Sequence, residues 1–485
     1  MVNFTPDLWR SGFGYHTQYR RTLQSDDADA EDMAARLEQL CARCELRAGG
    51  ERAARAYETT ARDERDERDD ALAACRVCLG VLQPRALRAA AAEVLRLAAA
   101  VRHDGRYKLA VHLPLSVALL RDRVFRQTAA AAAATVNPLS VRDALRLSIA
   151  PLLRALGRFC PDAPLLVTLK YDARCCASDA AFLPHLERAA LPAAKRPRTP
   201  VPSITAAQKL LLELSDHEFA VAAQHLFPLP RVEHPVSIAA SVASVPVLLA
   251  ARYTKLSRVL SQTPWNVLRA AGNARVATSV QAAVERALRK HLLYQKATFT
   301  AGGREDVDVR MLGGGRPFIV QLHQSAVVPC LISQRLLDHV AAELQHHVVR
   351  LHHLRVVDAS YVHKMREYEA DKQKHYRCVV YTTGILDQQA LRKLQLRDLQ
   401  LMQKTPLRVL HRRTQMTRPK RIARVDVVRL INPHFVVLDV VAQAGTYIKE
   451  FVHGDNGRTT PSIASLLHCF VDIVQLDVTD ISHTS

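Results

Sequence analysis

The sequence predicts an α+β or α/β protein whose C-terminal half is built on a central antiparallel or mixed sheet. Two observations carry that class. Runs of strand length, rich in β-branched residues, recur between Phe318 and Val478, and helical patterns with capping signals alternate with them. Two of the runs are joined by Asn432-Pro433, a hairpin signal. With 48% hydrophobic residues, the 485-residue chain can also bury real cores. At roughly 100–200 residues per domain it holds two to four of them.

The elements follow in order. Residues 26–70 are mixed in charge, and Asp63–Asp70 packs six acids with two arginines. That pattern suits a solvated helix or a mobile insertion. Pro84 fits the first turn of a helix over 84–103. Tyr107–Leu120 and Pro164–Tyr171 read as strands, separated by the Ala-rich stretch Thr128–Val141. Pro192–Ser203 contains four prolines and reads as an exposed loop or linker. Ser279 caps a helix whose apolar face is Val280, Ala283, Val284, Ala287 and Leu288. The triple glycine Gly313–Gly315 reads as a turn before a strand at Phe318–Leu322, and Ser333 opens a helix through Val349. Tyr376–Thr382 is a strand, Arg424–Ile431 and His434–Ala442 form the hairpin, and Phe470–Val478 is the last strand.

Charge narrows the partner. The chain has 67 Lys+Arg against 47 Asp+Glu, a net +20, which points to a polyanion: nucleic acid or an anionic membrane surface. The uncharged stretch Val236–Ala251 is 16 residues long and contains Pro246, whereas a spanning helix wants about 20 apolar residues, so membrane spanning is set aside; once the basic run Lys404–Arg424 is placed, no membrane partner is expected. Residues 1–25 lack the apolar core of a secretory signal. Arg10, Arg20 and Arg21 beside a single acid, Asp7, leave an organelle transit peptide as the lesser alternative.

Four of the ten cysteines form two pairs, Cys41-Ala-Arg-Cys44 and Cys75-Arg-Val-Cys78, with 30 residues between them. Together they can supply four thiolates to one tetrahedral Zn²⁺ at about 2.3 Å. With all four positions filled, such a site is structural. The alternative is two unrelated pairs, one of them redox-active; a ligand count that closes at four favours zinc. Further on, Gly302–Asp308 places three carboxylates beside Arg304 in a glycine loop between two expected strands. Alone, such a cluster is more often a turn or solvated surface than a catalytic site, although loops after strands are common places for catalytic groups.

Gly303-Arg304-Glu305-Asp306 resembles the Gly-Arg-Leu-Asp type motif of RNA pseudouridine synthases. The longer string Gly303–Phe318 (GREDVDVRMLGGGRPF) is similar to the Pus-ten family of tRNA pseudouridine synthases found in archaea and eukaryotes. Arg252–Trp265, Lys374–Tyr381 (KHYRCVVY), Gln403–Arg413 (QKTPLRVLHRR) and Gln443–Ser462, which carries GTYIKE, resemble further family motifs in the right order. The two Cys pairs look like the family's zinc half-motifs. The resemblance covers residues 236–485 and, through the cysteines, 38–83.

The resemblance implies a zinc-binding region over 1–105, a THUMP-like α/β RNA-binding domain over 106–235, and a pseudouridine synthase catalytic domain over 236–485. Asp306 aligns with the family's reacting aspartate, acting covalently or as a base. Asp308 is its geometric rival two residues on. Tyr376 aligns with the tyrosine that stacks on the flipped base, at about 1–3 kcal/mol per stacked base; a core tyrosine is the plain alternative. Tyr447 would touch the substrate nucleotide. Lys449 would pair with Asp306 where related synthases place an arginine. Lys404–Arg424 carries eight Lys/Arg and no acid, and with Pro406 and Pro419 it reads as a loop gripping RNA phosphates. Arg408, Arg412 and Arg413 of that loop, with Arg304, are the expected substrate contacts. The expected partner is tRNA, modified in the TΨC arm at position 54, position 55 or both by a monomer that needs structural Zn²⁺ and no organic cofactor. Nucleus or cytoplasm is the expected place, ahead of mitochondria. A non-catalytic RNA-binding or RNA-chaperone protein on the same scaffold is the rival, and a general zinc-dependent nucleic-acid binder is the third reading.

Overall fold

The computed structural model describes residues 40–58, 74–132, 137–172, 174–184, 186, 204–231, 236–264, 279–345, 348–370 and 372–483. The N-terminal 39 residues, the acidic Asp63–Asp70 segment and the Pro192–Ser203 linker lie outside them. The chain divides into two compact units, Met1–Ala243 and Ser244–Ser485.

In the first unit, α1 (Ala42–Ala48) and α2 (Pro84–Ala98) precede a four-stranded sheet. Its order is β2–β1–β3–β4, from β1 (Arg106–His112), β2 (Arg158–Phe159), β3 (Leu165–Asp172) and β4 (Ser237–Ser244). The strand expected over Tyr107–Leu120 stops at His112. Beyond Pro114 the chain winds through a π turn, Ser116–Leu120, into α3 (Arg121–Ala132), burying Val117, Leu120 and Val124. Topology explains the difference. Strands β1 and β3 pair in parallel, so a crossover must separate them, and α3 with α4 (Val141–Ile149) supplies it. Further on lie α5 (Ile204–Glu213) and α6 (Asp216–Ala222), the latter opened by a Ser215–Glu218 capping box.

The second unit is a ten-stranded sheet. Its strands are β5 (Val247–Lys255), β6 (Lys296–Ala301), β7 (Arg310–His323), β8 (Val349–Val357), β9 (Lys372–Thr382), β10 (Leu396–Lys404), β11 (Thr417–Asn432), β12 (Phe435–Gln443), β13 (Thr459–Thr460) and β14 (Val471–His483). The order is β13–β10–β11–β12–β9–β14–β7–β5–β8, with β6 also on β7. Pairing is antiparallel except for the short parallel contact of β14 with β7. On one face Leu249, Tyr253, Phe318 and Val320 pack with α7 (Val280–His291) and α8 (Gln334–Leu344). The serines expected to cap these helices, Ser279 and Ser333, do so. On the other face Met365 of α9 (Ala359–Ala370) meets Ala250 and Ile319. Shorter helices α10 (Gln388–Lys393), α11 (Ile448–His453) and α12 (Ile463–Leu467) complete the unit.

Three local expectations change. The triple glycine is not a turn before a strand, because β7 runs through it. Gly313 and Gly315 have φ of +55° and +73°, and a Cβ at Gly313 would lie 2.0 Å from the Thr479 carbonyl oxygen. Glycine there lets β7, which keeps β5 on one edge before and after the kink, exchange β14 for β6 on the other. The helix from Ser333 ends at Leu344, since Val349 already belongs to β8. Lys404–Arg424 is not a single loop but the end of β10, a 3₁₀ turn at Leu407–Arg412, and the start of β11. Cross-strand register, Lys404 opposite Thr417 and Leu399 opposite Ile422, draws those residues into the sheet. Among the described residues no helix is long and apolar enough to cross a membrane.

Candidate active site

The acidic segment does lie between two strands, as the loop from β6 to β7. It is fixed from below. Gly303 has φ +80°, so a side chain there would be strained, and its Cβ would have to displace Arg316 Nη1 at 2.8 Å and Lys374 Nζ at 2.9 Å. Arg316 Nη1 donates to the Gly302 carbonyl at 2.7 Å, and its Nε donates to Glu305 Oε2 at 2.7 Å. Both side chains of that pair are 1% exposed. The Tyr253 hydroxyl lies 2.8 and 2.9 Å from the two Glu305 oxygens. Gln262 Nε2 donates to Tyr253 Oη at 2.8 Å and to the Gly303 carbonyl at 2.9 Å. A buried carboxylate is tolerable only with partners of this kind. Lys255, fully buried, donates Nζ to the carbonyls of Leu260, Asp306 and Val307 at 2.8, 3.0 and 3.0 Å. Burial pulls Lys255 below the ordinary lysine range, and the charges of Glu305, Asp308 and Asp306 restore part of the loss. Arg258 Nη1 ties the Asp308 carbonyl, at 3.0 Å, to that of Leu476 on β14, at 2.8 Å.

With its backbone held, the loop turns the Asp306 carboxylate outward, 35% exposed. Among the described residues, two cations meet it. Arg408 Nη1 is 3.0 Å from Asp306 Oδ2, and Lys449 Nζ is 3.6 Å from the same oxygen. Lys449 makes its hydrogen bonds to Asp308 instead, at 2.9 and 2.7 Å. The closest cation to Asp306 is therefore Arg408, from the basic run expected to grip phosphate. Lys449 bridges the two rival aspartates. Burial would raise Asp308, but the Lys449 hydrogen bond and charge outweigh it and hold the carboxyl below its usual range. Burial likewise disfavours the Arg408 cation, yet Glu450 and Asp306 more than compensate.

Both cations stand on anchored segments. Lys449 is in the first turn of α11, and Gln403 clamps Tyr447 just before it. Gln403 accepts the Tyr447 N–H at 2.8 Å and donates to the Tyr447 carbonyl at 3.0 Å. Arg408 sits on the 3₁₀ turn, where the Leu407 N–H donates to Asp455 Oδ2 at 3.2 Å. Tyr376 is on β9 between Val440 and Val478. Its ring is buried, which pushes the hydroxyl up to about 12 although the Arg316 charge pulls the other way. Tyr447 is half-buried. Arg304 is exposed and donates to Thr263 Oγ1 at 2.9 Å. Arg413 is exposed just beyond the turn, and the Arg412 side chain lies outside the described residues. Elsewhere in the basic run, Lys420 donates to the Ala444 carbonyl at 2.7 Å, Arg421 pairs with Asp398, and Arg424 pairs with Asp426 at 2.9 Å. Sequence reasoning missed Lys255, Arg316, Gln403 and Glu450. One signal was present: Glu305 occupies the leucine position of the Gly-Arg-Leu-Asp pattern, and a charge in an apolar slot demands a buried partner.

In the first unit, Cys41, Cys44, Cys75 and Cys78 come together with sulfurs within 4.8 Å of one another, all buried. Arg47 Nη1 lies 3.7 Å from Cys44 Sγ, and Arg121 Nη1 donates to the carbonyl of Arg76 inside the second pair at 2.6 Å. Four convergent soft donors fit one tetrahedral metal ion and leave no open position.

Residues 248–482 match the family model described as Pus10, C-terminal. The chain is 38% identical over 239 residues to a Homo sapiens tRNA pseudouridine synthase Pus10, covering 48% of this chain and 43% of that protein. It is 32% identical over 244 residues to the Thermofilum pendens tRNA pseudouridine synthase Pus10, covering 50% and 53%. Among solved structures it is similar to a chain of a Cbf5-Nop10-Gar1 complex at a TM-score of 0.27 and 16% identity, over 48% of each chain. Over its C-terminal half, the chain is similar to the Pus10 family, the Pus-ten family of the motif resemblance. It spans about half the length of the curated relatives it matches.

Proposed function

We propose that the chain is a tRNA pseudouridine synthase that isomerises uridine in the TΨC arm, at position 54, position 55 or both, with Asp306 as the reacting carboxylate. The observation that carries this reading is an outward-facing carboxylate on a backbone fixed by Lys255 and the Glu305–Arg316 pair, with Arg408 3.0 Å from its oxygen. In the reaction the bond from ribose C1′ to N1 breaks, the uracil turns, and C1′ joins C5. C5 gives up a proton and N1 gains one. Substrate and product are isomers, so no redox partner or organic cofactor enters the balance. A carboxylate beside C1′ or C6 serves as nucleophile or base, and positioning of this kind is a large part of enzymatic rate.

The target base must leave its stack to reach Asp306. Tyr376 and Tyr447 are the aromatic groups proposed to receive it, and Arg304, Arg412 and Arg413 the cations proposed for the neighbouring phosphates. The cysteine cluster would hold structural Zn²⁺, fixing α1 against the second Cys pair in region 1–105. Residues 106–235 would be the THUMP-like RNA-binding part and 236–485 the catalytic domain. The protein would act as a monomer in nucleus or cytoplasm.

The test is direct. Purified protein is incubated with unmodified tRNA, and pseudouridine is mapped by carbodiimide-dependent primer stops. Stops at the TΨC uridines with wild type, absent with Asp306→Ala, are expected. No product from wild type, or undiminished product from Asp306→Ala, overturns the assignment.

A further inference from the structure

Arg408 does not reach Asp306 unaided. Its Nε donates to Glu450 Oε1 at 2.7 Å while its Nη1 meets Asp306 at 3.0 Å, so one planar guanidinium is shared between two carboxylates. The two are not alike. Asp306 faces outward at 35% exposure, whereas the Glu450 side chain is 1% exposed. Glu450 Oε2 is buried with no hydrogen-bond partner among the described residues. A carboxylate retained solely to staple α11 would be expected to satisfy both oxygens, because a buried lone pair left bare costs stability. Here the unbonded oxygen is buried, and the bonded one is aimed at Arg408, the arginine that among the described residues touches Asp306. The neighbouring Lys449 is already engaged by Asp308, so it cannot take over the Arg408 position without giving up those bonds.

We infer that Glu450 is a positioning residue. It anchors Arg408 so that the guanidinium fixes the direction of the Asp306 carboxylate toward the bound nucleotide. This rests on the proposed synthase reading and adds to it a residue that touches no substrate. Glu450→Gln keeps the shape of the side chain but removes the charge that holds the guanidinium fork. Arg408→Lys keeps a cation but cannot span both carboxylates.

The experiment compares wild type, Glu450→Gln, Arg408→Lys and the double variant, using tritium release from unmodified tRNA that carries 5-tritiated uridine. Single-turnover rate and tRNA affinity are read separately, and far-UV circular dichroism checks the fold. Each single variant is expected to lose about 10- to 100-fold in rate, with tRNA affinity changed less than about 3-fold and no further loss in the double, since groups acting as a unit are not additive. Should Glu450→Gln fail to fold, Glu450→Asp, which keeps the charge but draws it back from Arg408, carries the test, with the same split between rate and affinity. Wild-type rates in Glu450→Gln, additive losses in the double, or a loss confined to affinity would overturn the inference while leaving the synthase reading intact. No tritium release from wild type would overturn both.

Discussion

Arg316→Met should be the most damaging single change in the C-terminal unit that touches no substrate. Arg316 gives one charge-assisted hydrogen bond to Glu305 and one bond to the Gly302 carbonyl. Such bonds contribute about 1.5–3 and about 0.5–1.5 kcal/mol respectively. Their loss would leave the Glu305 carboxylate, 1% exposed, with the Tyr253 hydroxyl as its remaining partner in that network. Breaking a buried pair from one side costs about 3–5 kcal/mol, in keeping with the sum of the two bonds. Replacing both partners is a different perturbation. Glu305→Leu with Arg316→Met removes the stranded charge and restores the leucine of the related motif, so most of the stability should return. Only the Gly302 contact and the Tyr253 pairing stay lost, leaving a deficit of about 1–2 kcal/mol. Equilibrium urea unfolding followed by far-UV circular dichroism reads both quantities. A single variant within about 1 kcal/mol of wild type, or a double no more stable than the single, would refute the description of Glu305 and Arg316 as a buried pair bracing the loop.

Other perturbations separate the remaining parts of the site. Lys255→Met leaves up to three loop carbonyls without their donor and should lower turnover at least 10-fold with tRNA affinity nearly unchanged; a filter-binding assay beside the rate measurement checks the split. Asp308→Asn tests the pH dependence. The folded carboxyl lies below its usual value, so its contribution is complete above the unfolded pKa of about 3.9 and is lost as pH falls through the lower folded value. The side chain is 62% exposed, so the stability difference from wild type should be under about 1 kcal/mol near neutrality and should vanish in urea titrations at strongly acidic pH. Cys41→Ser should lower a zinc content of about one per chain, read by elemental analysis; unchanged zinc would refute the four-thiolate site.

What could be read from the sequence was local. The serine caps of α7 and α8, the hairpin at Asn432-Pro433 and the two Cys pairs are each specified within a few residues, and the structure keeps them. What could not be read was set by distant pairing. The strand expected at Tyr107–Leu120 yields to the crossover required between parallel β1 and β3. The cationic run Lys404–Arg424 looked like a free grip until register placed Arg421 against Asp398 and Arg424 beside Asp426. Arg408 and Glu450 are 42 residues apart, and Lys449 and Asp308 are 141 apart. No local spacing foretells which cation meets which acid across such separations. The motif pointed to Asp306 as the reactive carboxylate and Lys449 as its partner; packing divides that partnership between Lys449 and Arg408.

The central claim is that the Asp306 carboxylate carries out the isomerisation, and Asp306→Asn tests it with the least disturbance of shape. Formation of pseudouridine replaces the hydrogen at C5 of uridine, so tritium release from 5-tritiated tRNA counts turnovers. The account predicts stoichiometric release by wild type at the TΨC uridines. It predicts no detectable release by Asp306→Asn, with tRNA still bound and the fold intact. Release by the variant at a rate near that of wild type would contradict it.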